Sequence, residues 1–265
     1  YYDGYHFSRR NMVDVYNPYS LVNALKSKEI INFWASSGAT SLIPKFVDNV
    51  ELRLGKFENC SVMRNTLELS DVSGGGAELF LYQSGYLTIK ESDEFGYILG
   101  FPNEEVKQAL YETVLPALAM RSENEILSLQ ACLYRELGTG QVDEAMKSLK
   151  ALIADVPYSN KKLASMDMEE RYRLIISTIL NAIGLSVEVE RMMSTGRIDM
   201  TVKTSRYIYV IELKLYNNGG KEAATEQILN RQYMEPFKAD KRKVIGLGIE
   251  LDEEGKGLLD WKRAE

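Results

Sequence analysis

The chain has 265 residues, of which 45% are apolar and 26% are charged. This composition excludes a generally disordered chain, and at about 100 to 200 residues per domain the length predicts two folded domains. The net charge of −6 is uneven, because residues 1–137 carry 12 Lys and Arg against 18 Asp and Glu, whereas residues 138–265 carry 20 against 20. We therefore expect phosphate contacts in the second part rather than in the acidic first part.

The chain lacks the residues that several classes of enzyme and metal-binding protein require. His6 is the only histidine, which leaves Ser-His-Asp hydrolases, Cys-His proteases and multi-histidine metal sites without the residues that they need. Cys60 and Cys132 lie far apart and have neither the spacing of a zinc site nor that of a disulfide framework. No Gly-x-x-x-x-Gly-Lys-[Ser/Thr] motif occurs, so we expect no ATP hydrolysis by this chain.

We expect a cytoplasmic protein without a membrane anchor. The apolar runs, such as Tyr207–Leu213, are shorter than the roughly 18 residues of a membrane-spanning helix and are interrupted by charges. The first residues lack the basic and apolar pattern of a secretory signal. Because the chain begins at Tyr1 without a Met, we expect it to be a piece of a longer protein.

The first part of the chain predicts a mainly helical domain with one β-hairpin. The elements expected there are a helix from Pro18 capped by Asn17, a helix over residues 43–54, a loop at Ser73–Gly76, strands at Tyr86–Lys90 and Tyr97–Leu99, and a helix that opens at Pro102. The order helix, hairpin, helix is typical of a winged-helix-like module.

The second part predicts an α/β (α+β) domain. Two amphipathic helices over Glu123–Val156 are separated at Gly138–Gly140, and near this break we place the boundary between domains 1–137 and 138–265. The elements expected after them are a helix at Met168–Ile183, strands at Val187–Arg191, Ile198–Lys203 and Tyr207–Leu215, a helix at Glu222–Met234 and a strand at Val244–Ile249. Helices and strands in this order indicate a central sheet covered by helices.

Three charged residues of two neighbouring strands form the strongest candidate site. Side chains alternate along a strand, so Glu212 and Lys214 lie on the same face. If Thr204–Ser205 is the tip of a tight hairpin, Asp199 opposes Val210 and lies diagonal to Glu212 on that face. An odd-length loop would turn Asp199 to the other face.

Two carboxylates at this position would make a site of hard oxygen ligands, which Mg²⁺ prefers, with Mn²⁺ as a substitute. The ion would increase the acidity of a water molecule and neutralise charge on a phosphorus atom, and Lys214 would orient the water. Two simpler interpretations stay open. Glu212 and Lys214 form a solvated ion pair, or Asp199 is a turn residue after Gly196–Arg197.

Two further carboxylates open the helix that precedes the sheet. Glu169 or Glu170 would add a third acid to the metal site. The segment Asp167–Glu170 also has the form of a capping box, in which Asp167 caps the helix and Glu170 reaches back to the amide of Asp167. Both interpretations stay open.

Three segments together resemble the PD-(D/E)XK nuclease superfamily. They are Glu170-Arg171-Tyr172, Gly196-Arg197-Ile198-Asp199 and Tyr209-Val210-Ile211-Glu212-Leu213-Lys214-Leu215. Asp199 matches the aspartate of the motif, Glu212 its D/E position and Lys214 its lysine. The chain departs from the pattern at Ile198, where the motif has proline, and at Leu174, where we expect a polar residue.

A more specific resemblance is to the nuclease-like domain that follows a predicted AAA-ATPase region in many bacterial proteins. It is carried by Ala223–Ile228 and Tyr233, and in the first part by Tyr2–Ser8, Val15–Leu21, Phe33–Gly38 and Gln83–Thr88. The resemblance implies that residues 1–137 are the C-terminal, winged-helix-like part of such an ATPase region. It also implies a restriction-endonuclease-like fold with a mixed central sheet for residues 138–265.

The implied activity is Mg²⁺-dependent hydrolysis of nucleic-acid phosphodiester bonds, with DNA as the expected substrate and the upstream ATPase domain as a partner. In this reading Asp199 and Glu212 hold the metal, Lys214 assists the water and Glu170 supports the metal. The residues expected to line the site or bind substrate are Gln227, Tyr233, Arg197, Lys241 and Arg242, with Lys238, Lys243, Arg171, Arg173, Lys161 and Lys162 as further candidates for phosphate contact.

Two other functions stay open for the same fold. One is a catalytically silent module that binds nucleic acid or a partner and regulates the associated ATPase. The other is a platform for protein interaction with no role in nucleic-acid binding. Fold alone does not separate them from a nuclease.

Overall fold

A computed structural model of the chain describes residues 1–6, 12–36, 43, 57–68, 72–119, 123–154 and 166–264. The chain divides into two units, Tyr1–Val114 and Leu115–Glu265. The domain boundary expected after residue 137 lies further along the chain and stays a prediction. Each helix among these described ranges is too short or too polar to cross a bilayer.

The first unit contains helices and a three-stranded antiparallel sheet of order β1-β3-β2. Its elements are α1 (Pro18–Ser27), β1 (Cys60–Met63), α2 (Val72–Gln83), β2 (Thr88–Ser92), β3 (Gly96–Gly100) and α3 (Glu104–Ala119), the last of which continues into the second unit. The start of α1 is confirmed, because Asn17 Oδ1 accepts a hydrogen bond from Ser20 N at 3.2 Å. The hairpin of β2 and β3 is also confirmed.

The loop predicted at Ser73–Gly76 is wrong for residues 73–75, but the helix is interrupted at Gly76. These residues lie in α2, which is kinked at Gly76 (φ 69°, ψ −165°). The backbone of Gly76 is not helical, so α2 consists of two helical segments that meet at this residue, and Leu79 and Leu81 of the second segment are fully buried. The helix expected over residues 43–54 lies outside the described residues except for Ile43, and the winged-helix-like character stays a prediction.

The second unit is built around a five-stranded mixed sheet of order β4-β5-β6-β7-β8. Its elements are α4 (Glu123–Thr139), α5 (Val142–Ala154), α6 (Met168–Ala182), β4 (Ser186–Met193), β5 (Gly196–Lys203), β6 (Tyr207–Leu215), α7 (Gly220–Asn230), β7 (Lys243–Leu251) and β8 (Leu258–Ala264). Strands β6 and β7 are parallel and the other neighbours are antiparallel. This arrangement agrees with the expected restriction-endonuclease-like α+β fold.

Strand β6 is the centre of the sheet and contacts helices on both faces. Ile208 and Val210 pack against Ile228 of α7 in one apolar cluster. On the other face, the buried Tyr209 Oη donates a hydrogen bond to Leu137 O of α4 at 2.6 Å. Because side chains alternate along a strand, Glu212 lies on the same face as Val210.

The register of the β5–β6 hairpin differs by two residues from the prediction. Thr201 pairs with Val210, and the same register places Asp199 opposite Glu212 rather than opposite Val210. A shift of two residues keeps every side chain on its face. The predicted register is therefore wrong, but the predicted convergence of the two acids on one face is retained.

The side chain of Thr204 fixes this register. Thr204 N donates to Tyr207 O at 2.9 Å, so the turn has Ser205 and Arg206 at its tip. Thr204 Oγ1 also accepts hydrogen bonds from Tyr207 N at 2.9 Å and from Arg206 N at 3.3 Å. A threonine hydroxyl that binds the following amides stabilises such a turn, which moves its tip one residue beyond the predicted position.

We expect Tyr209→Phe to lower the free energy of unfolding by about 1 to 2 kcal/mol, because Leu137 O would lose its partner inside the protein. Urea unfolding followed by circular dichroism measures this loss. Tyr207→Phe is the matched control, since Tyr207 Oη donates to Thr139 O at 3.2 Å in an exposed position and should cost under about 0.5 kcal/mol. Equal losses in the two variants would contradict the prediction.

Candidate active site

Asp199 and Glu212 form a buried pair at the point where regular pairing of β5 and β6 ends. Backbone pairing of these strands extends as far as Met200 and Ile211. Beyond it, Asp199 N donates to Glu212 Oε1 at 3.1 Å, and Leu213 N donates to Asp199 Oδ2 at 3.0 Å. The two acidic side chains thus replace backbone partners between the strands. They are 7% and 1% exposed.

The remaining carboxylate oxygens of the pair contact two helices. Arg173 of α6 lies with Nη2 3.2 Å from Asp199 Oδ1. Gln227 of α7 donates from Nε2 to Glu212 Oε2 at 2.9 Å. All four oxygens of Asp199 and Glu212 therefore have a partner within the protein, and the helices hold both side chains in place.

Glycine in β7 allows α7 to approach the sheet beside Glu212. Gly248 pairs with Glu212 across the parallel strands. A Cβ atom on Gly248 would lie 2.7 Å from Lys221 O and 2.9 Å from Thr225 N, both in α7. The absence of a side chain at this position lets Gln227 reach the carboxylate.

The electrostatic state of the pair is set mainly by burial. Burial and, next, the charge of Asp199 raise the pKa of Glu212 from an ordinary 4.5 to about 8, whereas Lys214 opposes the rise. Lys214 is half-buried and lies on the same face of β6 as Glu212. Two carboxylates in one buried site accumulate negative charge, which a cation would offset.

The start of α6 meets the end of β6 through Glu169. Glu169 Oε1 accepts hydrogen bonds from Asn218 Nδ2 at 3.3 Å and from Leu215 N at 3.4 Å. The N-cap interpretation of Asp167 is confirmed, because its Oδ1 accepts from Glu170 N at 2.9 Å. The role of Glu170 in supporting a metal stays a prediction.

Tyr233 is placed near the site as a core residue. It is 2% exposed and packs in the apolar cluster with Ile198 and Val210. A Cβ atom on Gly196 would lie 2.5 Å from Tyr233 Oη, so the ring packs against the backbone at the start of β5. Tyr233 thus supports the strand that carries Asp199, and contact with substrate stays a prediction.

Arg197 joins an ion-pair cluster beside Asp199. Both Arg197 Nη1 and Arg173 Nη1 lie 2.9 Å from the same oxygen, Oε1 of Glu190. The sequence names Arg197 and Arg173 as candidates for phosphate contact, but it does not indicate Glu190. A single acid in a strand with several charged residues resembles an ordinary surface position, so no sequence pattern could have identified it.

The basic residues that lead into β7, Lys241–Lys243, lie away from this site. Lys243 pairs with Tyr207, whereas Glu212 is five positions further along β6, which is about 16 Å at 3.3 Å per residue. Arg242 pairs with Asp240 through Nη2–Oδ2 (2.6 Å) and Nε–Oδ1 (2.9 Å). Lys241 adjoins this pair and is exposed. Lys161 and Lys162 lie outside the described residues.

The donors present fit a small divalent cation. No group of three or more His, Cys, Asp and Glu suited to a metal occurs among the residues that the structure describes. Mg²⁺ requires only one or two carboxylates when water and substrate phosphate complete its shell. Asp199 and Glu212 supply those two carboxylates.

Residues 167–261 match the family described as the PD-(D/E)XK nuclease superfamily. The part of the second unit from α6 to β8 is thus similar to that superfamily. The matched segment contains Asp199, Glu212 and Lys214, whereas the phosphate-contact candidates Lys161 and Lys162 lie before it. The upstream AAA-ATPase-like region lies outside the match and stays a prediction.

Nearly the whole chain is similar to a curated protein of a bacterium. It is 26% identical over 274 residues to a protein of Azotobacter chroococcum mcd 1 named "Uncharacterized protein in vnfD 5'region". The alignment covers 98% of this chain and 51% of that protein, so the chain spans about half the length of its relative. No solved structure matches the chain at a significant level.

The stability of the metal-free protein should fall as pH rises from about 4.5 to about 8. In this interval an unfolded Glu loses its proton, whereas the folded protein retains the proton on Glu212, so stability is fully present below the interval and is lost across it. Glu212→Gln should remove this pH-dependent change, which is on the order of 5 kcal/mol.

Urea unfolding in EDTA at pH 4.5, 6 and 8.5 measures this dependence. Glu94→Gln, at an exposed hairpin position, is the control and should follow the wild type. Parallel pH curves for wild type and Glu212→Gln would contradict the prediction.

Proposed function

We propose that the second unit is a divalent-metal-dependent nuclease that hydrolyses phosphodiester bonds of nucleic acid, with DNA as the substrate. The observation that carries this proposal is the buried pair of Asp199 and Glu212 with Lys214 on the same strand face, within the segment that matches the nuclease superfamily. The proposed cation is Mg²⁺, with Mn²⁺ as a substitute.

Each residue has a proposed role that follows from its position. Asp199 and Glu212 would hold the cation, and Gln227 would keep Glu212 oriented through its amide. When bound, the divalent ion supplies Lewis acidity that makes a water molecule more acidic and offsets charge on the phosphate. The ammonium of Lys214 would position the attacking water and stabilise the negative charge that develops as the P–O bond breaks. Arg197 would contact a phosphate of the strand.

Other parts of the proposal rest on the resemblance of the sequence. Glu170 would support the metal, Tyr233 would contribute to the wall of the site, and Lys241 and Arg242 would bind the strand at a distance from the acids. In the full-length protein an AAA-ATPase-like region would precede this chain, and its C-terminal winged-helix-like part would correspond to residues 1–137.

A second candidate is a nuclease-fold module without catalytic activity that binds nucleic acid or a partner and regulates the associated ATPase. One observation favours it. Arg173, Gln227 and two backbone amides already satisfy all four carboxylate oxygens of Asp199 and Glu212. A site that is electrostatically satisfied without a metal does not require one for stability.

We expect wild-type protein to bind Mn²⁺ and to cleave DNA in its presence, and Asp199→Asn to lose both. The loss of cleavage should be at least about 100-fold, because the substitution removes a ligand charge. Lys214→Met should retain Mn²⁺ binding and lose cleavage. Calorimetric titration with Mn²⁺ and a gel assay on labelled DNA measure the two properties.

Asp260→Asn is the matched control, because Asp260 lies on β8 of the same sheet, is half-exposed and pairs with Lys221. It should behave as the wild type. Binding of DNA without Mn²⁺ binding or cleavage would contradict the nuclease proposal and support the silent module. Absence of DNA binding at low salt would contradict the nuclease proposal and a silent module that binds DNA, and would leave a module that binds a protein partner.

A further inference from the structure

Glu190 of β4 bridges two guanidinium groups. Its Oε1 atom lies 2.9 Å from Nη1 of Arg173 on α6 and 2.9 Å from Nη1 of Arg197 on β5. Arg173 also contacts Asp199 Oδ1 through Nη2 at 3.2 Å. A single carboxylate oxygen thus lies between two cations, directly beside one of the two buried acids.

The three side chains of this cluster differ in exposure. Arg173 is 12% exposed, whereas Glu190 and Arg197 are 45% and 51% exposed. The buried Arg173 Nε has no hydrogen-bond partner among the described residues. Arg173 is therefore fixed and retains an unused donor, whereas the Glu190 carboxylate can move into water at low cost.

The backbone at Glu190 is also unusual. Glu190 has φ 54°, in the left-handed region that residues other than glycine rarely adopt. The neighbouring residues Val189 and Arg191 pair regularly with β5. The unfavourable conformation is thus confined to the residue that carries the bridging carboxylate. Local backbone strain of this kind is concentrated at functional positions.

We propose that Glu190 occupies the binding position of a substrate phosphate, and that a phosphodiester group of the nucleic acid replaces its carboxylate between Arg173 and Arg197. Two guanidinium groups that share one oxygen form a suitable cradle for phosphate, because both present N–H donors in a fixed fork. The identity of the anion rests on the proposed nuclease function. Beyond that function, one phosphate would bind next to Asp199 and would compete there with an internal carboxylate.

The test is the affinity of the metal-free protein for a fluorescein-labelled single-stranded DNA, measured in EDTA by fluorescence anisotropy. Glu190→Gln should raise this affinity about fivefold, because phosphate no longer competes with an internal carboxylate. Glu190→Gly should act in the same direction and suits the backbone, because glycine adopts a positive φ without strain. The second variant keeps the test valid if the first is unstable.

Glu188→Gln is the matched control. Glu188 lies on the same strand, is 44% exposed and pairs with Arg191 at 2.8 Å. Its substitution makes the same change in net charge and should alter the affinity less than about twofold. Arg197→Gln should lower the affinity and, combined with Glu190→Gln, should cancel the gain.

The outcomes separate this inference from the proposed nuclease function. Equal affinities for Glu190→Gln and Glu188→Gln would show that Glu190 forms only a structural ion pair and would overturn the inference, even if Mn²⁺ binding and cleavage depend on Asp199. A gain confined to the Glu190 variants would support the inference even if the wild type neither bound Mn²⁺ nor cleaved DNA, which would overturn the nuclease function alone.

Discussion

The geometry of the site depends on the reciprocal hydrogen bonds between Asp199 and β6. Asp199 donates its amide to the Glu212 side chain and accepts the amide of Leu213 on its own carboxylate. A buried amide without a partner is costly, so each acid is held by the backbone group that it satisfies. The same interactions extend the association of β5 and β6 and hold Glu212 in a buried position beside Asp199, where burial first and the neighbouring charge second raise its pKa.

The sequence predicts much of the second unit because its signals are local. Continuous apolar residues identify β6 with the observed bounds, Tyr207–Leu215, and the glycines at 138–140 separate α4 from α5. Strand β8 was not predicted, because its pairing with β7 at the edge of the sheet is a long-range property of a charged segment. The interruption of α2 at Gly76 lies within the glycine-rich segment that the sequence marks as a break, whereas the helical residues before it are not expected from the sequence.

The sheet face on which Asp199 and Glu212 lie could be predicted from the sequence more easily than the residues that their carboxylates contact. Strand alternation has a period of two, so the convergence of Asp199 and Glu212 survives an error of two residues in register. The contacts of Arg173 and Glu190 could not be predicted, because they join α6, β4 and β5 through the tertiary fold. The superfamily match agrees with the resemblance of this segment, whereas its catalytic roles stay proposals.

Gly248 has a consequence for how this site tolerates change. The residue carries no functional group, yet any larger residue there would displace α7 from the sheet. That displacement would draw the amide of Gln227 away from Glu212 and leave a buried acid with one contact fewer. A residue of β7 without a side chain thus determines part of the chemistry at Glu212 of β6, and a search for polar residues would miss it.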